Sequence, residues 1–531
     1  MSAVSPHHHI SAYLLGGSSN DTPLSPREVS PLYHFIQGLD TERKVLAKED
    51  ECKLQDPFAN LILKRGRNPL STNQLIQQLE KTNCHPNGLK NKKIFHIAEG
   101  GQIPASERTV EFYRSFRLAI SINTKTVEAA IFISSGIELD SHENDQALHV
   151  MSWDTTNSYY NFYQRFNKVW IWVGNSHHAF QEETRHKGPF NGHINGGPAM
   201  KELHSPWSHW KSQSSGPMVA DFFPSGHPFL ESHLYHGPDV KGAEDFEQIT
   251  LFAMHRWNHS RLEKGIKQNV LHDAHSYFAQ ILDTTNINLI SSPDSSTPHS
   301  LARSIRLPRT FFANLDGFEK LDIVIDVQVV VSKEFYLGTL RDYHFVLPFG
   351  KSHIKGDTYF AFLVPEVAGE DIDLLDQMVK KKIISKHLAA CLLMVDFANP
   401  IYSKSRAQLL QYMPKDITIG EGGSDLDEHF LINIRNSGKH IEHGSPEKEF
   451  FQYWEKQNWK SDFQGILIEY FNVLQEKISS LEGYQEVVRL AELRKDLFKE
   501  KRSARFDLAL SKALEPNKEK LKGLFDSLVG T

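Results

Sequence analysis

Among the side chains of this sequence that can do chemistry, imidazole stands out: 28 His occur in 531 residues, and thirteen of them lie between His177 and His275. Imidazole is the commonest metal ligand and the one side chain that ordinarily titrates near neutrality, so such a density suits a metal centre or an acid–base site. The segment HHAFQEETRH follows the apolar run KVWIWVGNS. If it is helical, His178, Glu182 and His186 stand at i, i+4 and i+8, on a face that drifts by about 40° per step. Two imidazoles and a carboxylate are the facial set of non-haem iron, or a zinc site with an open position. The outer pair would be about 12 Å apart, so only two adjacent members can reach one ion. The third ligand must come from elsewhere: His193 in GPFNGHINGG and His227 in FFPSGHPF sit among Gly and Pro, where backbone can approach closely. His177 and Arg185, on the same segment, are the candidate catalytic groups.

A second pair, His255 and His259, has chelate spacing, but Arg256 stands where H-E-x-x-H requires its glutamate, which removes a zinc-protease reading. Pro224-Ser225-Gly226-His227 resembles the middle motif of the vanadium haloperoxidase and acid phosphatase superfamily. The chain has no Arg-Pro for the upstream motif, and His272 comes too late after Ser260-Arg261 for the downstream one, so the family is not implied. A nucleophile elbow, a Walker loop, a dinucleotide fingerprint and a kinase signature are all missing, and no nucleotide cofactor is expected.

The composition narrows the classes. Hydrophobic residues make up 40% and charged residues 23%, which supports packed cores and excludes wholesale disorder. A net charge of -6 gives no global basic field to attract nucleic acid. Cys52, Cys84 and Cys391 lie far apart, so neither a disulfide framework nor a thiolate zinc site is expected, and a cytoplasmic location is the natural reading. The first thirty residues have neither a basic n-region nor an apolar core, and no run approaches 18 uninterrupted apolar residues, so neither a secretory leader nor a membrane span is expected.

The elements that must position these groups follow from periodicity. Residues 1–30 are Ser-, Pro- and His-rich and read as a flexible tail. Residues 31–92 read as peripheral helices, with Asp40-Thr41 capping ERKVLAKEDECKLQ and Ser71 or Thr72 capping NQLIQQLEKTN. KKIFHIAEG, RLAISINT, TVEAAIFISS, ALHVMSWD, SYYNFYQRF and KVWIWVGNS are short β-branched and aromatic runs, which predict an antiparallel sheet or barrel over Lys93 to Ser176. With the His-rich segment and a helical stretch from Ala243 to Asp283, they form the aromatic-rich region 93–300. Residues 301–446 read as a second mixed region, in which KLDIVIDVQVVVS is a buried strand and AACLLMVDFANP is strand or buried helix. Residues 447–531 read as a helical module. Phe463, Ile466, Leu467, Tyr470, Phe471, Leu474 and Ile478 form one stripe there, and Leu490, Leu493, Leu497, Ala504 and Leu508 line a charged helix that should lie at a surface or against a partner chain. The expected class is therefore α+β.

Tyr160, Trp170 and Trp172, in the hairpin turned by Asn167-Lys168, are the candidate wall of a cofactor or substrate pocket, although a sheet packing on helices uses the same residues. The functional expectation is an iron-dependent oxidoreductase, non-haem or haem, acting on a small organic substrate. Two alternatives stand beside it. One is a metal-independent acid–base hydrolase or lyase in which Glu182 or Asp221 orients an imidazole; the other is a non-catalytic binding or toxin-like protein.

Overall fold

The computed structural model describes residues 31–99, 116–137, 148–166, 168–198, 208–210, 226–283, 303–307, 309–342, 346–349, 352–355, 367, 369–401 and 403–501. The chain divides into two units, residues 1–257 with 290–296, and residues 258–289 with 297–531.

The first unit is built on β1 (Tyr33–His34), β2 (Lys44–Val45), β3 (Leu89–Glu99), β4 (Phe116–Thr124), β5 (Ile131–Ile137), β6 (Leu148–Asp154), β7 (Tyr159–Phe166), β8 (Val169–Asn175) and β9 (Ser208–Trp210). Their spatial order is β2-β1-β8-β7-β6-β5-β4-β3-β9, a nine-stranded sheet with two ends, so of the two forms expected the sheet is the one adopted. From β3 to β8 it is an antiparallel meander of sequence neighbours. β1 then joins β8 in parallel, Tyr33 beside Ile171 and His34 beside Trp172.

Strict alternation gives this sheet two buried faces. On one, Ile94, Ile120, Ile131, Val150, Tyr163 and Trp170 pack with Phe58 of α1 (Pro57–Leu61) and with Leu75, Ile76 and Leu79 of α2 (Thr72–Glu80). On the other, Trp153, Tyr160, Phe162, Ile171 and Val173 pack with Phe190 and with Ala253 and Trp257 of α3 (Ala243–Gly265). Burying side chains of this size contributes about 1.5–3 kcal/mol each. Ser71 caps α2 by accepting the Gln74 amide, as one of the two expected caps.

The stretch before α2 departs from the expected helices. Lys44–Val45 is a strand paired with β1, and the helix that follows is confined to Lys48–Lys53. Asp40 does not cap it; its carboxylate closes the turn after β1 by accepting the Ile36 amide at 2.6 Å.

The second unit is mainly helical: α4 (Ala274–Leu282), α5 (Gly369–Lys380), α6 (Lys386–Met394), α7 (Leu426–Ser437), α8 (Pro446–Trp454), α9 (Trp459–Ile478) and α10 (Leu481–Lys501). The stretch expected to be helical from Ala243 to Asp283 is broken by a small hairpin, Ile266–Lys267 with Val270–Leu271, between α3 and α4. The undecided run AACLLMVDFANP starts in α6, which ends at Met394, and continues as turn, with Leu388 to Val395 buried. In KLDIVIDVQVVVS only Val329–Ser332 is a strand, although Leu321, Ile323 and Ile325 are buried in alternation before it. The α9 stripe is as expected, with Phe463, Leu467, Tyr470, Phe471, Leu474 and Ile478 buried. On α10, Leu490 is buried, but so is Arg494, which the expectation of a solvated charged face did not foresee. Ala504 and Leu508 lie outside the described residues. Among the described residues no helix is long and apolar enough to cross a membrane.

Candidate functional site

The His-rich segment leaves the sheet at the end of β8, and it is not a long helix. Ser176–Ala179 is a single 3-10 turn, and the residues after it are turns down to Gly188, with His186 in the left-handed region at φ 62°. The i, i+4, i+8 face of His178, Glu182 and His186 is therefore not formed, because Asn175 caps the short turn and the chain then reverses. Glu182, Arg185 and His186 are exposed.

His178 takes part in that cap. Its Nδ1 is 3.1 Å from the Asn175 amide nitrogen and 3.1 Å from the Asn175 Oδ1, which ties one ring nitrogen to the local backbone. The Thr184 hydroxyl donates to the His178 carbonyl and holds the following turn against it. The His178 ring stacks on Phe190 at 6.2 Å and meets the edge of Trp172 at 6.0 Å. Burial pushes its pKa down; the Asn175 backbone and the Asp40 carboxylate oppose that shift. Gly174, at φ 117°, allows this approach, since a Cβ there would lie 3.1 Å from the Phe190 ring and 3.3 Å from the His178 Nδ1.

His193 and His177 border the same aromatic cluster. His193 Nδ1 lies 2.9 Å from the Gly197 carbonyl, and its ring is 5.4 Å from Phe162. His177 is exposed and sets its ring against Tyr159 and Trp257, each at 5.5 Å. His227 belongs elsewhere: it accepts the Phe229 amide at 3.2 Å, and Phe229 packs in the core on the opposite face of the sheet. The structure thus gathers His177, His178 and His193 around one cluster, while Glu182, Arg185 and His186 are exposed and His227 joins the core of the opposite face. Among the described residues, no three His, Cys, Asp or Glu side chains form a group that could hold a metal ion.

The hairpin aromatics do not make one wall, because alternation sends them to both faces. Tyr160 is fully buried on the α3 side, where Arg256 donates to its hydroxyl at 2.7 Å. Trp170 is buried on the α1 side and donates to the Pro69 carbonyl at 3.2 Å. Trp172 alone of the three is half-buried, and its Nε1 donates to Asn161 Oδ1 at 3.0 Å.

Next to Trp172 stands a pair that the sequence did not reveal. His34 on β1 places its Nδ1 3.2 Å from Asp40 Oδ2, with the two side chains 24% and 21% exposed. Two other His–carboxylate contacts are more open: His272–Asp416 at 52% and 49%, and His429–Asp425 at 51% and 29%. Partial enclosure is what lets a carboxylate orient an imidazole without losing the contact to water. The β1–β8 register sets His34 beside Trp172, and Asp40 also acts on His178, so Trp172 and Asp40 together link the two histidines. Gly38, at φ 105°, packs this turn on the His-rich loop so closely that a Cβ would sit 1.9 Å from the Glu183 carbonyl oxygen. The only trace in the sequence was a His and an Asp six apart, a spacing with no helical or strand period. Asp221, the other expected orienting group, lies outside the described residues.

No family model, no curated protein and no solved structure matches this chain.

Proposed function

We propose that the first unit carries a metal-independent acid–base site, in which His34 exchanges the proton, Asp40 orients its ring, and Trp172 with His178 borders a small organic substrate. The His34–Asp40 contact, partly enclosed and set beside Trp172, is the observation that carries this reading. A carboxylate that accepts from Nδ1–H fixes the tautomer and leaves Nε2 as the base. The proton then comes from a water attacking the substrate, in a hydrolase, or from carbon next to a leaving group, in a lyase. A positioned group of this kind contributes about 10²–10⁴-fold in rate. His178, kept towards its neutral form by burial, is the second titratable group beside Trp172. For iron-dependent oxidoreduction the chain offers a high density of histidine, but no assembled ligand set among its described residues, so the geometry supports the acid–base reading better.

The test is turnover of a panel of chromogenic esters, amides and β-elimination substrates by the full chain. Wild-type turnover should fall by about 10²-fold or more in His34→Ala and in Asp40→Asn. Equal rates in the His34 variant, or no turnover by the wild type across the panel, would remove the reading. Iron in the purified protein that is lost on Glu182→Ala would favour the oxidoreductase instead.

A further inference from the structure

In the second unit, His387 of α6 is sandwiched between two tryptophans. Trp454, the last residue of α8, stacks on its ring at 4.3 Å and 15°, and Trp459, the first residue of α9, stacks at 5.1 Å and 23°. The imidazole thus fills the gap between the two helices at their shared corner and ties both to α6. Its Nε2 is buried and has no hydrogen-bond partner among the described residues. A proton added there would create an N–H with no acceptor. The stacking is near-parallel, so that N–H would lie in the plane of the sandwich and could not point into either indole face.

The two indole faces attract a cation, but burial of the ring and the lack of an acceptor for the new N–H oppose the protonated form. His387 is the second residue of α6, whose first turn is capped by Ser385 through the Leu388 amide, and the positive end of a helix disfavours a cation. Lys386 on α6 and Lys460 on α9 are both held by Asp322, at 2.8 and 2.7 Å. α8 brings the face of Trp454, and from α7 the Asp427 carboxylate favours protonation, but burial outweighs it and pushes the imidazole down.

We propose that His387 is an acid-sensitive pin: neutral, it locks the corner between α8 and α9 onto α6, and protonated, it releases that corner. The linkage has a definite sign. A base held down in the folded state supports the packing above the ordinary value of 6.5 and loses that support as the pH falls below it.

The experiment is a titration of the intact chain, from about pH 8 to about pH 5, following tryptophan fluorescence and near-ultraviolet dichroism. Wild type should show a reversible transition with a midpoint below 6.5. His387→Phe keeps a three-ring stack but has nothing to titrate, and should lose that transition. Should that variant not fold, Trp454→Phe removes one reporter and should reduce the amplitude. The proposal is overturned if wild type shows no transition, if His387→Phe titrates like wild type, or if Trp454→Phe keeps the full amplitude.

Discussion

Tyr163 on β7 donates a 2.5 Å hydrogen bond to Oδ2 of Asp56, the N-cap of α1, and both side chains are buried. Asn161 donates to the same oxygen at 3.0 Å, and the Ala59 amide donates to Oδ1 at 3.0 Å. Burial raises the Asp56 carboxyl above its usual range, while the bonds from Tyr163 and the Ala59 amide oppose the shift. The carboxyl therefore joins α1 to the centre of the sheet.

Tyr163→Phe leaves the carboxyl with one donor fewer and no route to water. The expected loss is about 1–3 kcal/mol, the cost of removing the partner of a buried polar group. A chemical-denaturation midpoint measures it, and an unchanged midpoint would show that the bond contributes nothing net.

The same carboxyl predicts a pH dependence. Because its folded value is raised, Asp56 holds its proton more tightly in the native state than in the unfolded one. Its contribution is complete below the unfolded value of 3.8 and fades as the pH rises through the folded value. Asp56→Asn cannot ionise, so its stability profile should lack that decline; a decline as steep as in wild type would place its origin in another group.

Gly38→Ala should disorder the turn that carries Asp40, since the position combines φ 105° with backbone overlap at the Glu183 carbonyl. The backbone strain alone costs about 1–3 kcal/mol. Faster amide exchange confined to the segments around residues 36–40 and 183–188 is the expected result, and an exchange pattern identical to wild type would contradict it.

Arg494→Met should destabilise the second unit by about 1–3 kcal/mol, because two buried carbonyls lose their donor. The guanidinium donates to Phe311 O and, at 2.8 Å, to Ala398 O, and lies 4.3 Å from the centre of the Phe311 ring. Arg494→Lys should not restore the loss, since a single ammonium cannot reproduce the planar fork. Thermal melts of the three proteins decide it, and a lysine variant equal to wild type would refute the bidentate role.

The meander was legible because residues such as Ile131, Ile133, Val150 and Tyr163 must alternate with their neighbours if one face is to be buried, and that alternation is written in the sequence. Alternation does not report pairing, however. Leu321, Ile323 and Ile325 are buried in alternation although Leu321 and Asp322 form the end of a helix and its turn, so the pattern that located β7 overextended the strand ending at Ser332. β1 and β2 are too short to show any period. The candidate site was legible only as histidine density. Asn175 capping a single turn, rather than starting a helix, decided where His178 and Glu182 went, and a cap of one turn looks the same in sequence as a cap of four.

The parallel seam between β1 and β8 fixes an order of assembly. Strands β3 to β8 pair with sequence neighbours, so each pairing is local compared with the β1–β8 contact and can form as soon as its second strand is available. β1 must wait, because its partner is the last strand of that series and the entire meander lies between them. His34 and Asp40 can meet early, through local turn formation, but Trp172 joins them only once the rest of the sheet exists. A nascent chain interrupted before β8 would carry the dyad without its wall, so completion of the sheet is also what completes the candidate site.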